Sequence, residues 1–240
     1  MAATITTSTE AGSAIITALE SAWNHLRNDH PELPRVVFIT GTGVKANGVV
    51  LGHYHHNAWF NQLNESDLPE IFVSTESMIL GAEDVMITLR HEAAHALAKV
   101  RGIQDTNPLT GYHRKDYAKL ATEMGLKCTK VPHIGWSETV LTEETKAYDS
   151  LIMLDLEASL TTMRKGGVMV SKTKGANGKT KVSVTKVDAT GAPIKPKNKN
   201  YVVLTCGCES PAPIRMAPTK FRKHPGIICV GCEELCSPRD

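Results

Sequence analysis

Glu83-Asp84-Val85-Met86-Ile87-Thr88-Leu89-Arg90-His91-Glu92-Ala93-Ala94-His95-Ala96-Leu97-Ala98-Lys99-Val100 is the stretch on which the reading of this 240-residue chain turns. Val85, Met86, Leu89, Ala93, Ala96, Leu97 and Val100 recur at three and four, which predicts a helix ending at Gly102. His91 and His95 are one turn apart on one face, so both imidazoles can reach one ion at the about 2.0–2.1 Å that zinc needs. Glu92 follows the first histidine and sits beside that ion without binding it, where its carboxylate can take a proton from water. Zinc would bring such a water toward a pKa of about 7. Ala93, Ala94, Ala96 and Leu97 make the surroundings apolar, and histidines buried there without a metal would be costly. The expected chemistry is that of a zinc-dependent peptidase.

The third ligand separates versions of this motif. The metzincin extension needs glycine at 98 and histidine at 101, where the chain has Ala98 and Arg101. A glutamate ligand roughly 18–20 residues after the second histidine would fall at Arg114 or Lys115, both cationic. His113 fits better. Tyr112, next to it, can donate its hydroxyl to a developing oxyanion, with simple packing as the equal alternative.

Outward from the motif, an N-terminal amphipathic helix is expected over Ala11–Leu26, ending near Asn28 before Pro31 and Pro34. Val36–Ile39, Val49–Leu51 and Glu70–Ser74 read as strands of one small sheet. Helices are expected from Arg114 to Met124 and from a capping Thr142 through Leu160. Gly41-Thr42-Gly43-Val44-Lys45 lacks the spacing of a phosphate-binding loop and reads as a turn. His53 and His55 fall on one strand face and His56 on the other, near Trp59, in structural or cleft roles. Cys128 and His133 read as core and surface residues.

Hydrophobic residues make up 41% of the chain, charged residues 22% and aromatic residues 5%, ordinary for a globular protein. Net charge is only +2, so any affinity for nucleic acid must be local. Local it is: between Arg164 and Asn200 nine lysines (Lys165, Lys172, Lys174, Lys179, Lys181, Lys186, Lys195, Lys197, Lys199) face a single acid, Asp188. Lys181–Val187 alternates like a strand, so the segment reads as basic linker or exposed hairpin. The first twenty residues lack a charged leader with a sustained apolar run, and no stretch approaches the about 18 apolar residues of a membrane span. A cytoplasmic protein is expected. Five of the six cysteines, Cys206, Cys208, Cys229, Cys232 and Cys236, crowd the C-terminal region, which in a cytosolic chain favours metal over disulfides.

Thr88–His95 followed by Gly111-Tyr112-His113-Arg114-Lys115-Asp116-Tyr117 resembles the SprT-like metallopeptidase family, and Arg101–Thr106 with Ala121–Leu126 resembles its actinobacterial and phage-borne branch. The similarity runs well over Leu68–Leu126 and more loosely over the strands before it. The resemblance implies an abbreviated α+β zincin over 1–163, a basic linker or hairpin over 164–200 and a zinc ribbon over 201–240, in the cytoplasm of a bacterial cell or phage host. It places a catalytic zinc at His91, His95 and His113 and a structural zinc at Cys206, Cys208, Cys229 and Cys232. Cys206-Gly207-Cys208 departs from the usual C-x-x-C, which leaves Cys236 or His224 as substitute ligands. The best-known member, Spartan, degrades proteins crosslinked to DNA, so the resemblance implies a protein substrate and a DNA partner. The basic arm then reads two ways, as a phosphate-tracking segment or as a solvated linker. The rival to a peptidase is a non-catalytic nucleic-acid-binding adaptor built on ribbon and arm.

Overall fold

The computed structural model describes residues 8–45, 48–161, 167–174, 180–187, 193, 202–208, 214–223 and 226–238. They form a mixed α+β chain of small sheets and several helices, divided into two units, Met1–Pro193 and Ile194–Asp240. No helix among the described residues is long and apolar enough to cross a membrane.

In the first unit, Leu19, Trp23 and Leu26 recur on one face of α1 (Ser8–Asp29) and are buried. β1 (Val37–Gly41), β4 (Gly52–Asn61) and β5 (Ser66–Ser74) make a three-stranded sheet in the order β1-β5-β4, with β1 parallel and β4 antiparallel to β5. β4 is therefore an edge. The strand expected over Val49–Leu51 is instead the end of a two-residue ladder, β2 (Val44–Lys45) with β3 (Gly48–Val49), and Val50 and Leu51 lead into β4. The Gly41–Lys45 turn is held by a carboxylate: Gly43 N donates to Glu76 Oε2 at 2.7 Å and Thr42 Oγ1 to Glu76 Oε1 at 3.0 Å. That explains why glycine-rich chain here needs no phosphate.

α2 (Thr75–Ile79) is capped by Ser74 Oγ, which accepts from Ser77 N at 3.0 Å. α3 (Ala82–Val100) carries the motif and is nearly all core, with Val85, Met86, Leu89, Ala93, Ala96 and Leu97 fully buried. Only Ile87, His91 and His95, one stripe four residues apart, are partly open within that run. α4 (Lys115–Glu123) follows, then a hairpin that alternation did not suggest, β6 (Leu126–Val131) with β7 (Gly135–Leu141). Its residues are polar on both faces over much of its length.

The helix expected over Thr142–Leu160 breaks into α5 (Glu143–Tyr148) and α6 (Ser150–Ser159). Thr142 caps it as expected, accepting from Thr145 N at 3.1 Å. The break falls at Asp149, whose fully buried carboxylate accepts from Arg90 Nε at 2.7 Å, Arg90 Nη2 at 2.5 Å and His25 Nε2 at 3.0 Å. Arg90 Nη1 also donates to Met124 O at 2.7 Å, so this pair joins α3, α1, the end of α4 and the α5–α6 corner. β8 (Gly167–Lys174) and β9 (Thr180–Val187) form the hairpin half anticipated for the basic segment. Lys165, Lys179, Lys195, Lys197 and Lys199 lie outside the described residues.

The second unit is a small sheet, β11-β10-β12, built from β10 (Val202–Thr205), β11 (Ile214–Met216) and β12 (Ser237–Pro238), with the short helix α7 (Pro218–Lys223). Leu204 and Cys236 are its buried side chains among the described residues.

Candidate metal centres

α3 presents His91 and His95 to solvent on one stripe, and the turn after it, Arg101–Gly111, returns the chain so that His113 meets them. The ring centres of the three histidines are 5.1 Å apart in every pair. Three rings bound through nitrogen to one tetrahedral ion at about 2.0–2.1 Å have centres about 5 Å apart, so the set fits such an ion. The proton positions fit it as well. His95 Nδ1 donates to Asp105 Oδ2 and His113 Nδ1 donates to Ile134 O at 3.2 Å. When both rings are neutral, both Nε2 atoms are lone-pair acceptors, and they face each other at 3.2 Å. Two lone pairs at that distance repel unless a cation lies between them.

Burial, reinforced by His95 and His113, holds His91 well below the usual imidazole range, and burial with His95 lowers His113. Both are kept neutral, as ligands must be. Burial also opposes charge on His95, but the Asp105 hydrogen bond and the nearby Glu92 and Asp105 charges carry it upward.

Asp105 was not anticipated, because it lies in a loop with no periodicity. A carboxylate on the far nitrogen of a ligating histidine fixes its tautomer and orientation. Asp105→Ala is expected to weaken metal binding at the three histidines by about 10–100-fold, checked by chelator competition, and to leave the cysteine cluster unchanged.

Tyr117, in α4, does more than pack. Its ring centre is 4.9, 4.8 and 4.5 Å from those of His91, His95 and His113, so it lies near the axis of the triangle and closes its buried end. It is fully buried, with its hydroxyl unpartnered among the described residues. Tyr112, the expected oxyanion donor, is half-buried and lines neither of the two cavities that meet at Glu92.

His113 is set in place by β7. His113 N donates to Ile134 O at 3.0 Å and Trp136 N to His113 O at 3.2 Å. Gly135 lies between these bonds with φ +81°, and a Cβ there would stand 2.1 Å from His113 O. Only glycine permits this approach.

Glu92 is buried, and burial pushes its carboxyl up to about 7, against the pull of His95 and of the Tyr54 backbone amide that bonds to it. Two cavities meet over it, sharing Gly52, His91 and Glu92. One, about 450 Å³, holds the three histidines with His53, Tyr54, His56, Lys99 and Asp105. The other, about 310 Å³, runs past Val50, Leu51 and Ile87 to Val140. His53 and His55 share the exposed face of β4, as alternation predicts, and His56 turns to the cavity. Trp59 sides with His53, since His53 Nε2 and Trp59 Nε1 both donate to Glu70, at 3.1 and 2.9 Å. Cys128 is half-buried against the core and His133 is exposed, both as expected.

In the second unit the Sγ atoms of Cys206, Cys208, Cys229 and Cys232 converge within 4.8 Å of one another. Cys208 Sγ and Cys229 Sγ are 3.7 Å apart. That is far beyond a disulfide at about 2.05 Å and close to the about 3.8 Å edge of a tetrahedron of thiolates at about 2.3 Å from zinc. The backbone amides of Cys232 and Gly231 bond to the Cys229 sulfur and lower its pKa to about 6, while hydrogen bonds to the Cys206, Cys232 and Cys229 sulfurs raise that of the Cys208 thiol. The C-x-C pair thus supplies both its sulfurs to the cluster. Cys236 is buried beside it and is not one of the four, and His224 lies outside the described residues. A third group, His30, Glu32 and Glu123, is compensated by Arg101, which bonds to both carboxylates.

No family model, no curated protein and no solved structure matches the chain.

Proposed function

We propose that the chain is a zinc-dependent endopeptidase with an abbreviated zincin domain and a C-terminal zinc ribbon, as its resemblance to SprT-like peptidases implies. The observation that carries the reading is the pair of facing Nε2 atoms on His95 and His113, with His91 beside them and a buried carboxyl, Glu92, at the same point of the cleft. Zinc at His91, His95 and His113 would supply Lewis acidity to a carbonyl oxygen and acidity to a water. Glu92, held near 7, is matched to accept a proton from the attacking water and to return it to the leaving amine. Asp105 keeps His95 in its ligand tautomer, and Tyr117 excludes water from the closed end of the triangle. Cys206, Cys208, Cys229 and Cys232 would hold a second, structural ion.

A peptide substrate is supported by β4. Its edge is unpaired among the described strands and passes Glu92, since the Tyr54 amide bonds outward to that carboxyl. An extended peptide can add to such an edge through main-chain hydrogen bonds. The adaptor reading is favoured by the basic residues Lys220, Arg222 and Lys223 of α7 and by the lysine-rich segment. The test is to incubate the zinc-loaded chain with a DNA-binding protein, with and without DNA. Cleavage in either arm supports the peptidase, and faster cleavage with DNA joins both readings. DNA binding without cleavage in any condition overturns the peptidase in favour of the adaptor.

A further inference from the structure

The floor of the cleft is one stripe of α3, Ile87, His91, His95 and Lys99, each four residues from the last and hence about 6 Å along the helix. Its chemistry changes along that line. Beyond His95 the cavity is lined by Lys99, His56, His53 and Asp105, whereas before His91 it gains the apolar side chains of Val50, Leu51, Ile87 and Val140, set among Asp84, Thr88, Ser137, Glu138 and Thr139. Gly52 lines both halves, and a Cβ there would stand 2.4 Å from Thr88 Cγ2, 3.0 Å from Phe72 O and 3.3 Å from Glu92 Oε1.

Resting on the peptidase reading, we propose that the 310 Å³ cavity is a subsite for one aliphatic side chain, leucine, isoleucine or methionine, on a residue flanking the cleaved bond. Size and position support it. The cavity touches Glu92 and His91, so a peptide laid along 50–56 with its scissile bond at Glu92 places a neighbouring side chain over Ile87. Ser137 also lines it, its Oγ buried and with no partner among the described residues. Asp84 and Glu138 also line it and are engaged in interactions of their own, and their carboxylates disfavour an acidic occupant.

Two measurements test the subsite. In the first, the zinc-loaded chain digests a peptide library. Leu, Ile or Met should be enriched about tenfold over Asp and Lys at one flanking position, and Val140→Phe should lower the Leu-over-Ala preference in kcat/KM about tenfold. Val140 is exposed, so filling the cavity from there spares the core. In the second, zinc-loaded Glu92→Gln binds fluorescent peptides differing only at that position, and Kd should favour Leu over Asp and Lys by a similar factor. Cuts without an enriched flank, enrichment of Lys, or an equal loss on every peptide with Val140→Phe would overturn the subsite. If the wild-type chain cuts no peptide, the peptidase reading falls, and the Kd ratio alone then decides whether the cavity selects aliphatic side chains.

Discussion

Glu92→Gln is expected to lower peptide hydrolysis by about a thousandfold while both metal sites keep their zinc. Glutamine preserves the volume and one accepting oxygen, so the Tyr54 amide keeps its partner and the helix keeps its packing. What is lost is a group able to hold a proton in transit. The same substitution has a signature in stability. Burial raises the Glu92 carboxyl from its ordinary 4.5 to about 7, so the folded chain favours the protonated form. Its contribution is fully present below the unfolded value and lost as pH climbs through the folded one. Metal-free Glu92→Gln should therefore gain on metal-free wild type as pH rises from about 4.5 to 7, a trend read from urea midpoints. Zinc measured by atomic absorption, beside the rate, separates a lost base from a lost ion. Hydrolysis that survives in the glutamine variant would falsify the assignment of the base.

Asp149→Ala should be the most destabilising single change in the first unit, by about 3–5 kcal/mol. Arg90 and Asp149 are both buried, and the aspartate takes three donors from two helices. Removing it strands a guanidinium that cannot lose its proton. In thermal unfolding this corresponds to a midpoint lower by about 10 °C for a unit of this size. Replacing both partners with carbon, as Arg90→Met with Asp149→Leu, should recover part of that loss, because neither charge is then left unpaired. A cost under about 1 kcal/mol for Asp149→Ala would mean that the pair does not tie α3 to the α5–α6 corner.

The part of the fold legible in sequence is the part where chemistry and periodicity fall on the same residues. His91, His95 and Glu92 ride a helix whose apolar spacing announces it, and elimination of other ligands led to His113. Asp105 escaped notice because its relation to His95 depends on a chain reversal, not on spacing. Tyr117 sits at a helical core position, and nothing local separates a ring packed on leucines from one packed on imidazoles. β4 is legible only at His53–His56 and not over its full length, because a strand with a cleft on one side and solvent on the other carries polar side chains on both. The break at Asp149 shows a buried ion pair overruling a continuous helical pattern.

Gly135 ties His113 to the β6–β7 hairpin. Two of the three candidate ligands are fixed on one rigid helix, but the third is delivered by a loop whose backbone is clamped to the β6–β7 hairpin. Whatever free energy the ion gains from a correctly placed His113 is, by linkage, the free energy by which the ion steadies that hairpin. Metal occupancy at the histidines would thus double as a gauge of how well residues 126–141 are folded, and a zinc held there would be a tertiary staple between segments that meet nowhere in sequence.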